Sequence, residues 1–446
     1  MKPAVCAVAA QAALHRPAPV SFGAALLYWL KLGFISFGGP AGQIAIMHTD
    51  LVEKRRWISE QRFLHALNYC MVLPGPEAQQ LATYIGWLMH RTWGGIIAGG
   101  LFVLPSLFLL AGLSYIYLAF GNVPVVAGIL YGIKPAVTAI VLHAAWRIGS
   151  RALKNAWLWA ITAAAFIAIF AFAVPFPAIV LGAGLIGWLG GKYAPKVFSG
   201  GGHGAAKTSF GPALIDDDTP APLHAKFSRT RLITITVVFL ALWGVTLAAL
   251  SGTLADMGWF FTKAALLTFG GAYAVLPYVT DAAVNQYQWA TAAQMIDGLA
   301  LGETTPGPLI MIVAFVGFVG AWTKQLFGGD LVLAGMAGAC VATWFTFLPS
   351  FLFILAGGPL VESTHGNLKF TAPLTAISAA VVGVILNLAM FFAWHVFFPA
   401  SIWSQPDGLA ILIGAAAMAA LFRYQMGVIS LIGACALIGL LRTVLV

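Results

Sequence analysis

The sequence predicts an all-α polytopic membrane protein built from two homologous halves, which form an inverted repeat with broken, re-entrant helices. Three observations predict this fold class. The chain is extremely apolar, it repeats a set of unusual residues at one fixed spacing, and the two copies of the repeat differ in the charge of their loops. Together they indicate helices that break inside a membrane and two halves of opposite orientation.

The composition places the chain in a lipid bilayer. Of its 446 residues, 61% are hydrophobic and only 8% are charged, whereas a soluble protein has about 25% charged residues. The apolar runs are unlike the ~10-residue alternating strands of an outer-membrane barrel, so they indicate membrane helices. The formal charge of +9 lies in short loops between these runs, where it encodes orientation. We therefore expect no nucleic-acid partner.

The sequence gives no sign of metal or cofactor chemistry. Its four cysteines are scattered singly, which indicates neither a disulfide framework nor a metal cluster. It contains no Gly-x-x-x-x-Gly-Lys-Ser/Thr phosphate loop, and no convincing cleavage site follows the weak apolar run near the N-terminus. We expect no catalytic residues, no metal, no cofactor and an uncleaved N-terminus.

The repeat joins three separate landmarks at one offset. Residues 31–40, Lys-Leu-Gly-Phe-Ile-Ser-Phe-Gly-Gly-Pro, return at 263–271 as Lys-Ala-Ala-Leu-Leu-Thr-Phe-Gly-Gly, an offset of 232 (263 − 31). Trp57 and Trp289 have the same separation, and so do the Pro-Gly-Pro motifs at 74–76 and 306–308. A constant offset through all three indicates a duplicated unit that keeps its helix breakers.

Loop charge predicts which segments turn back inside the membrane. The loop 48–62 is basic and reads as cytoplasmic, and so does His90-Arg91. The apolar segment 62–90 therefore has to enter and return, with its break at Pro-Gly-Pro 74–76. The same reasoning makes the segment 22–46 re-entrant, bent near Gly38-Gly39-Pro40.

The second half is predicted to be inverted. Its loop 278–292 corresponds to the basic loop 48–62 but contains no Lys or Arg, so it reads as external. The apolar segment 231–250 has no counterpart in the first half, and one extra crossing there inverts everything that follows. Each half then has two re-entrant segments and about four spans.

These observations divide the chain into five parts. A cytoplasmic N-terminal segment covers 1–20, and the first repeat covers 21–190. A polar linker, expected to be flexible, cytoplasmic and unable to form a core, covers 191–230. A connecting transmembrane helix at 231–250 leads to the second repeat at 251–446.

The broken segments are the candidate binding site. A half-helix that begins after a break presents free N–H groups and a positive dipole end, which suit an anion. The alternative for each motif alone is a kink or tight turn. The predicted substrate-binding residues in these breaks are Ser36, Phe37, Gly38, Gly39, Pro40, Pro74, Gly75, Pro76, Thr268, Phe269, Gly270, Gly271, Thr304, Thr305, Pro306, Gly307 and Pro308.

Two lysines and two glutamates complete the prediction. Lys31 and Lys263 occupy equivalent positions, and a lysine costs ~3 kcal/mol at the centre of a membrane helix, so a functional role in binding a dianion is expected. Snorkelling to the interface is the alternative. Glu77 and Glu303 flank the Pro-Gly-Pro motifs and could couple transport to protons, or could simply pair with a lysine.

A family resemblance rests on the first half above all. Phe37-Gly38-Gly39-Pro40, the basic run 53–57, and Leu73-Pro74-Gly75-Pro76 followed by Gln79-Gln80 resemble the chromate ion transporter family in its long, two-domain form. The second half departs from this pattern, with Gly271-Ala272 in place of Gly39-Pro40. The asymmetry fits fused domains whose roles have diverged.

The resemblance implies a function that composition alone does not. It implies a multi-pass protein of the bacterial inner membrane that exports chromate and confers resistance to it. It also implies that Lys31 and the residues of both motif types matter to transport. From the residues themselves, only a small anion is indicated. The energy source would be the membrane potential or a proton gradient.

Other readings stay open at this stage. The substrate could be sulfate or another oxyanion, since tetrahedral dianions are alike in size and charge, and a passive anion channel is a further alternative. An intramembrane enzyme would need a nucleophile–base pair or a metal motif that the sequence lacks. Besides the lipid bilayer and the oxyanion no partner is indicated, and the oligomeric state, including a homodimer, is left open.

Overall fold

The computed structural model describes residues 16–198, 210–220, 222–364, 371–399 and 405–445. Within these ranges the regular structure is helical, and the β-pairing consists of one isolated bridge between Ile58 and Ile215. Six helices are long and apolar enough to cross a membrane. The predicted class, an all-α polytopic membrane protein, is confirmed.

The first half consists of seven long helices and one short one. In chain order they are α1 Phe22–Ile35, α2 Gly39–His48, α3 Glu60–Val72, α4 Glu77–Phe120, α5 Pro124–Ala152, α6 Ala156–Phe172, α7 Phe176–Tyr193 and α8 Pro195–Phe198. A π-helical turn, Thr49–Lys54, extends α2. Helix α4 is bent at His90 and Arg91, whose backbone is not helical, so it contains two helices in succession.

The second half repeats this order of elements. After a 3₁₀ turn, Leu223–Ala225, and the connecting helix α9 Arg229–Ala248, the helices are α10 Gly252–Leu266, α11 Ala272–Asp281, α12 Ala292–Thr304, α13 Ile312–Thr323, α14 Leu331–Thr364, α15 Thr371–Phe397, α16 Gly408–Phe422 and α17 Val428–Leu445. A π-helical turn, Ala282–Gln286, extends α11 as its counterpart extends α2, and a 3₁₀ turn, Leu309–Met311, leads into α13.

The helices break where the sequence predicts. Helices α1 and α2 are separated by residues 36–38, and α3 and α4 by residues 73–76. The corresponding breaks in the second half are at 267–271 and 305–308. The cause is local: Gly38 and Gly75 have φ of 87° and 122°, which other residues rarely adopt, and the flanking prolines cannot donate the next helical hydrogen bond.

Capping side chains fix the points at which α3 and α12 begin. Ser59 accepts a hydrogen bond from the N–H of Arg62 at the start of α3. At the start of α12, Thr291 and Gln294 form a capping box in which each side chain binds the other's backbone N–H. These caps fix where α3 and α12 begin, and the other ends of both helices reach the Pro-Gly-Pro motifs.

The two halves are packed into each other rather than side by side. Helix α5 of the first half packs against α16 and α17 of the second, and α15 packs in the same way against α6 and α7. The bent helix α4 packs against its counterpart α14. Such an exchange of equivalent contacts is the signature of a two-fold relation between the halves.

Small residues allow these close approaches. A Cβ on Gly132 of α5 would collide with the backbone of Cys435 and Gly439 in α17. In the equivalent contact, a Cβ on Gly187 of α7 would collide with Ala372 and Pro373 of α15. Backbone contact of this kind is how membrane helices associate without a hydrophobic driving force.

Helix α9 lies at the periphery of the molecule. It has no buried residue along its 20-residue length, yet its composition is that of a membrane span. Its exposed apolar side chains, such as Ile233 and Val245, match a lipid environment. It packs on α14 and joins the two halves as the predicted connecting helix of 231–250 does.

The linker differs from the prediction. Residues 199–209 and 221 lie outside the described ranges, but residues 210–220 are docked on the basic loop and contribute to the core. Ile215 is 7% exposed, and its backbone exchanges hydrogen bonds with Trp57 and Ser59. The Ser59 hydroxyl also donates to Asp217 over 2.5 Å. Composition alone predicted flexibility here because it counts polar residues and not the backbone pairing available to them.

Candidate functional site

The breaks of both halves meet at one cavity. Helices α2, α4 and α11 and the helix that starts at Leu309 all begin there within the described chain. The cavity has a volume of about 10 Å³, room for about one water molecule. Its lining residues are Pro40, Gln43, Pro76, Glu77, Ala78, Gly271, Ala272, Pro308, Leu309 and Ile310.

Reciprocal hydrogen bonds hold the four breaks together. The N–H of Gly75 donates to the carbonyl oxygen of Thr268 over 2.8 Å, and the N–H of Gly307 donates to the carbonyl oxygen of Ser36 over 2.8 Å. Each donor and each acceptor is the repeat equivalent of the other. The Pro-Gly-Pro motif of each half is therefore attached to the first break of the opposite half.

Glycine is required at both Pro-Gly-Pro motifs. A Cβ on Gly75 would collide with the Ser350 hydroxyl of α14, and one on Gly307 would lie 2.6 Å from the Ser106 Cβ of α4. Both glycines also have positive φ, of 122° and 108°. The halves thus approach each other at backbone distance on both sides of the cavity.

The predicted hydroxyl donors are directed into their own helices. Ser36 Oγ donates to the carbonyl of Leu32 over 2.6 Å, and Thr268 Oγ1 donates to the carbonyl of Ala264 over 2.7 Å. Thr304 and Thr305 likewise donate to carbonyls three residues earlier. Ser36 and Thr268 contribute to the site through their main-chain carbonyls in this structure.

The remaining predicted residues of the first breaks surround the cavity. Pro40 and Gly271 face each other across it, since a Cβ on Gly271 would lie 4.0 Å from Pro40 Cγ. Gly38, Gly39 and Gly270 form the turns that precede α2 and α11. Of the two aromatic residues, Phe269 packs on the large core and Phe37 is half-buried. Pro74 and Pro306 begin the Pro-Gly-Pro motifs.

Gln43 is a site residue that the sequence prediction missed. Its Nε2 donates to the carbonyl of Gly307 over 2.5 Å and to that of Ser36 over 3.3 Å, so one amide joins both halves. Its Oε1 is buried and has no hydrogen-bond partner among the described residues. A lone amide inside the apolar stretch of α2 was the signal that could have identified it.

Gln79 and Gln80 are two further amide side chains beside the cavity. Gln80 Nε2 donates to the Pro74 carbonyl over 2.7 Å and to the Ser350 hydroxyl over 3.3 Å. The Oε1 atoms of both glutamines are buried without a partner among the described residues. Buried acceptors and donors without partners mark a place where water or a polar ligand is bound.

The two predicted lysines do not meet at the cavity. Lys31 is exposed and lines an open groove of about 460 Å³ between α1 and α2, together with Asp50 and Lys54. Lys263 is half-buried, with its Nζ 5.9 Å from the ring centroid of Trp259. Both lie on helices that end at the cavity, about one and a half turns before the break.

The two predicted glutamates have different surroundings. Glu77 is the first residue of α4, lines the cavity and has no hydrogen-bond or ionic partner among the described residues. Glu303 accepts a hydrogen bond from the Tyr273 hydroxyl, within its own half. The Arg147 guanidinium is close enough to act on Glu303 through its charge. Neither glutamate pairs with Lys31 or Lys263.

The arrangement suits an anion. Each helix that begins at the cavity directs free N–H groups and the positive end of its dipole toward it, with an effect of about half an elementary charge per helix. In this structure the Nε2 groups of Gln43 and Gln80 donate to main-chain carbonyls and to a hydroxyl, so they become donors for an anion only when those bonds are exchanged. Only Glu77 opposes this potential among the residues that line the cavity.

Comparison with known proteins gives the family. The model of the chromate transporter family matches residues 23–188 and 255–440, one stretch in each half. The chromate transport protein of Pseudomonas aeruginosa is 34% identical over 376 residues, which cover 83% of this chain and 80% of that protein. The chromate transport protein of Cupriavidus metallidurans is 29% identical, with 82% of each chain covered.

A third relative has a name of the same kind. The probable chromate transport protein of Synechococcus elongatus is 28% identical over 363 residues, which cover 80% of this chain and 81% of that protein. No solved structure gives a significant match. Because the family model covers most of both halves, and the helices and their breaks repeat as two homologous units, the chain belongs to the chromate transporter family, whose members are membrane transporters.

Proposed function

We propose that this protein exports chromate, or a tetrahedral oxyanion dianion like it, from the cytoplasm across the bacterial inner membrane and thereby gives resistance to chromate. The observation that carries the proposal is the convergence of helix beginnings from both halves on one cavity. Family membership supplies the identity of the anion. The convergence supplies the reason why a doubly charged anion would bind there.

The structure would be a closed state of the transport cycle. A cavity of about 10 Å³ holds one water and not an oxyanion, so the halves have to separate for the anion to enter. The breaks are joined by a few hydrogen bonds between the halves, which a small relative movement can exchange. Rocking of one repeat against the other is how repeat-based transporters open to alternate sides.

The proposal includes opposite orientation of the halves. Helix α9 is one crossing between two units with the same order of elements, and a single extra crossing reverses the second unit. The basic loop 48–62 and the loop 278–292, which contains no Lys or Arg, then lie on opposite sides, in agreement with the charge rule.

Export needs no nucleotide. Moving one elementary charge through 100 mV is worth ~2.3 kcal/mol, so a dianion that leaves a negative interior gains about twice that energy. An inward proton gradient can add to this driving force. Glu77, which lines the cavity, and Glu303 are the proton sites that the sequence predicts.

Lys31 and Lys263 are proposed to act on the approach to the site rather than inside it. Lys31 occupies an open groove beside α2, where its positive charge would raise the local concentration of oxyanions. By the repeat, Lys263 would have the same role on the other side. The donors at the cavity would be backbone N–H groups and the amides of Gln43 and Gln80.

The test is chromate flux in proteoliposomes that contain the purified protein and carry an imposed membrane potential. We expect saturable chromate movement toward the positive side, competition by sulfate that is weaker than competition by unlabelled chromate, and no flux in protein-free liposomes. Stronger inhibition by sulfate than by chromate would assign another oxyanion. Flux that rises linearly with chromate concentration would indicate a channel and would contradict the proposed transporter.

A further inference from the structure

An ion pair with a buried carboxylate connects the two halves away from the cavity. Lys134 Nζ of α5 lies 3.3 Å from Asp297 Oδ2 of α12. The Tyr117 hydroxyl of α4 donates to the same oxygen over 3.0 Å. Asp297 therefore belongs to the second half and both of its partners belong to the first.

The carboxylate of this ion pair is buried. The Asp297 side chain is 3% exposed and that of Lys134 is 30% exposed, and Lys134 is ten residues, or about 15 Å, from the start of the 29-residue helix α5. Charged side chains at such depth are costly, and when retained they mark ion pathways or proton relays. None of Asp297, Lys134 and Tyr117 lines the chromate cavity, so binding of the anion there does not explain why these residues are retained.

One oxygen of Asp297 is left open. Oδ1 is buried and has no hydrogen-bond partner among the described residues, whereas both partners of the carboxylate bind Oδ2. In the described chain, Lys134 and Tyr117 are the titratable groups that act on Asp297. Helices α13, α15 and α17 also pack on α12 but place no charged group against it.

A second ion pair between the halves provides the comparison. Arg62 of α3 pairs with Glu362 of α14 over 3.4 Å, and the Tyr84 hydroxyl donates to Glu362 over 2.5 Å. Here each carboxylate oxygen has its own partner, and arginine does not release its proton in proteins. Of these two pairs, the Asp297 pair combines a lysine with a carboxylate oxygen that has no partner among the described residues.

We propose that Asp297, with Lys134 and Tyr117, is the site that binds the coupling proton. The proton adds to Oδ1 and makes the carboxyl group neutral, while Lys134 keeps its own proton and loses its counter-ion. The attraction between α12 and α5 is thereby removed. The proposal rests on the proposed function as a chromate transporter and names the group that would link it to a proton gradient.

Position explains why Asp297 suits this role better than the two glutamates. A ligand shifts a conformational equilibrium only if it binds the two states differently, so the proton has to alter a contact that changes when the halves move. Asp297 makes such a contact between the halves. Glu303 is hydrogen-bonded within its own half and feels the charge of Arg147 of the first half without an ion-pair contact, and Glu77 has no partner to lose among the described residues.

The link to the chromate cavity is short. Helix α12 runs from Asp297 to Thr304, seven residues or about 10 Å, and then enters the break whose carbonyls and N–H groups hold the first half. Release of α12 from α5 would therefore be transmitted to the Pro-Gly-Pro motif at 306–308. In the inverted arrangement α12 starts on the external side, from which protons enter.

The experiment measures chromate flux and internal pH in the same proteoliposomes. The potential is clamped with potassium and valinomycin, and an inward or outward proton gradient is imposed; in a second arm the potential alone drives flux. For wild type we expect the proton gradient to change chromate flux at least about fivefold. For Asp297→Asn we expect that response to disappear while potential-driven flux remains.

The controls separate a coupling role from a structural one. Asp407→Asn changes another carboxylate that accepts a hydrogen bond from a tyrosine, Tyr131, but lies at the start of α16 away from the cavity. It should keep the full response. Asp297→Asn alone leaves the Lys134 charge unpaired, whereas Asp297→Asn with Lys134→Gln removes both charges. The double variant should likewise show potential-driven flux without the proton response.

Three results would overturn the inference. One is an intact proton response in Asp297→Asn or in the double variant. Another is loss of the response in Glu77→Gln or Glu303→Gln but not in Asp297→Asn. The third is wild-type chromate flux that ignores the proton gradient, which would leave the proposed chromate transport in place. No chromate flux in wild type would refute the proposed function itself, and the inference with it.

Discussion

At the scale of single residues, the contact between the halves depends on main-chain atoms that very few side chains would permit. Gly75 and Gly307 donate across the interface from backbone conformations with positive φ, and each lies against a serine of the opposite half. Gln43 is the side chain that joins this backbone network on both sides. Its substitution is therefore the most informative one at the cavity.

Gln43→Leu should weaken chromate transport with little effect on folding. The change removes two hydrogen bonds to the carbonyls of Gly307 and Ser36, each worth about 1 kcal/mol, and a donor that would face the anion. We expect about a tenfold rise in the chromate concentration that gives half-maximal flux. Gln61→Leu, at an exposed amide of α3, should leave that concentration unchanged. Unchanged kinetics in Gln43→Leu would remove the amide from the site.

Lys31→Ala should change the approach of the anion and not its binding. Lys31 is exposed in an open groove, so its effect is long-range attraction, which raises association rates ~10-fold or more at low salt. We expect a higher KM for chromate at low ionic strength, an unchanged maximal rate, and no difference from wild type near 1 M salt, where the screening length is about 3 Å. The matched control is Lys154→Ala, also at an exposed lysine.

A lower maximal rate in Lys31→Ala that persists at high salt would place the ammonium in the binding site itself. That result would restore the sequence prediction, in which Lys31 and Lys263 contact the dianion directly. The sequence could identify both lysines because they repeat at a fixed offset. It could not tell whether the faces of α1 and α10 that carry them line the cavity, because that depends on how the two halves pack.

At the scale of the elements, the linker is the part whose behaviour depends on pH. His224 Nε2 donates to the Trp87 carbonyl over 2.9 Å, and the carbonyl of His224 accepts a hydrogen bond from Arg231. Burial lowers the pKa of His224, and the nearby positive charges of Arg231 and Arg91 lower it further. The turn at Leu223–Ala225 thus holds a neutral histidine.

The sign of the pH effect follows from that direction. The docked state lowers the pKa of the histidine, so docking is favoured while the histidine is neutral, above its undocked pKa of about 6.5. This contribution to docking is lost as the pH falls through the lowered pKa of the docked state. After correction for intrinsic rates, we expect the amide hydrogens of residues 222–231 to exchange faster at pH 5 than at pH 7. His224→Gln should abolish the change. Equal corrected exchange at both values in wild type would contradict it.

The order of the elements was more predictable than their docking. The breaks at 36–38, 73–76, 267–271 and 305–308 follow from glycine and proline alone, because glycine adopts the positive φ that ends a helix and a proline cannot donate the next helical hydrogen bond. The docking of 210–220 depends on a partner loop 150 residues away in sequence, which composition does not reveal. Gln43 was missed for the same reason: its partners belong to the other half.

At the scale of the whole molecule, the proposal predicts that the two halves have opposite orientations in the membrane. Lys54 and Gln286 are repeat equivalents (286 − 54 = 232), and both are exposed at the ends of their π-helical turns. In a chain without its native cysteines, Lys54→Cys and Gln286→Cys should react with a membrane-impermeant maleimide from opposite sides. Intact spheroplasts and inverted vesicles give the two sides separately.

A third cysteine calibrates this labelling. Asp217→Cys lies on the linker segment that docks on the loop after Lys54, so both should react from the cytoplasmic side. Labelling of Gln286→Cys from that same side would show that the halves are parallel. Helix α9 would then not cross the membrane, and the alternating opening of an inverted repeat would not apply.

The proposed function requires a dianion to bind where helices of both halves begin. An experimental structure of the protein with chromate, located by the anomalous scattering of chromium, tests this directly. We expect one strong chromium peak in an enlarged cavity between Pro40, Gln43, Gly271 and Ile310. A peak only in the groove beside Lys31, with the cavity still closed at saturating chromate, would contradict it.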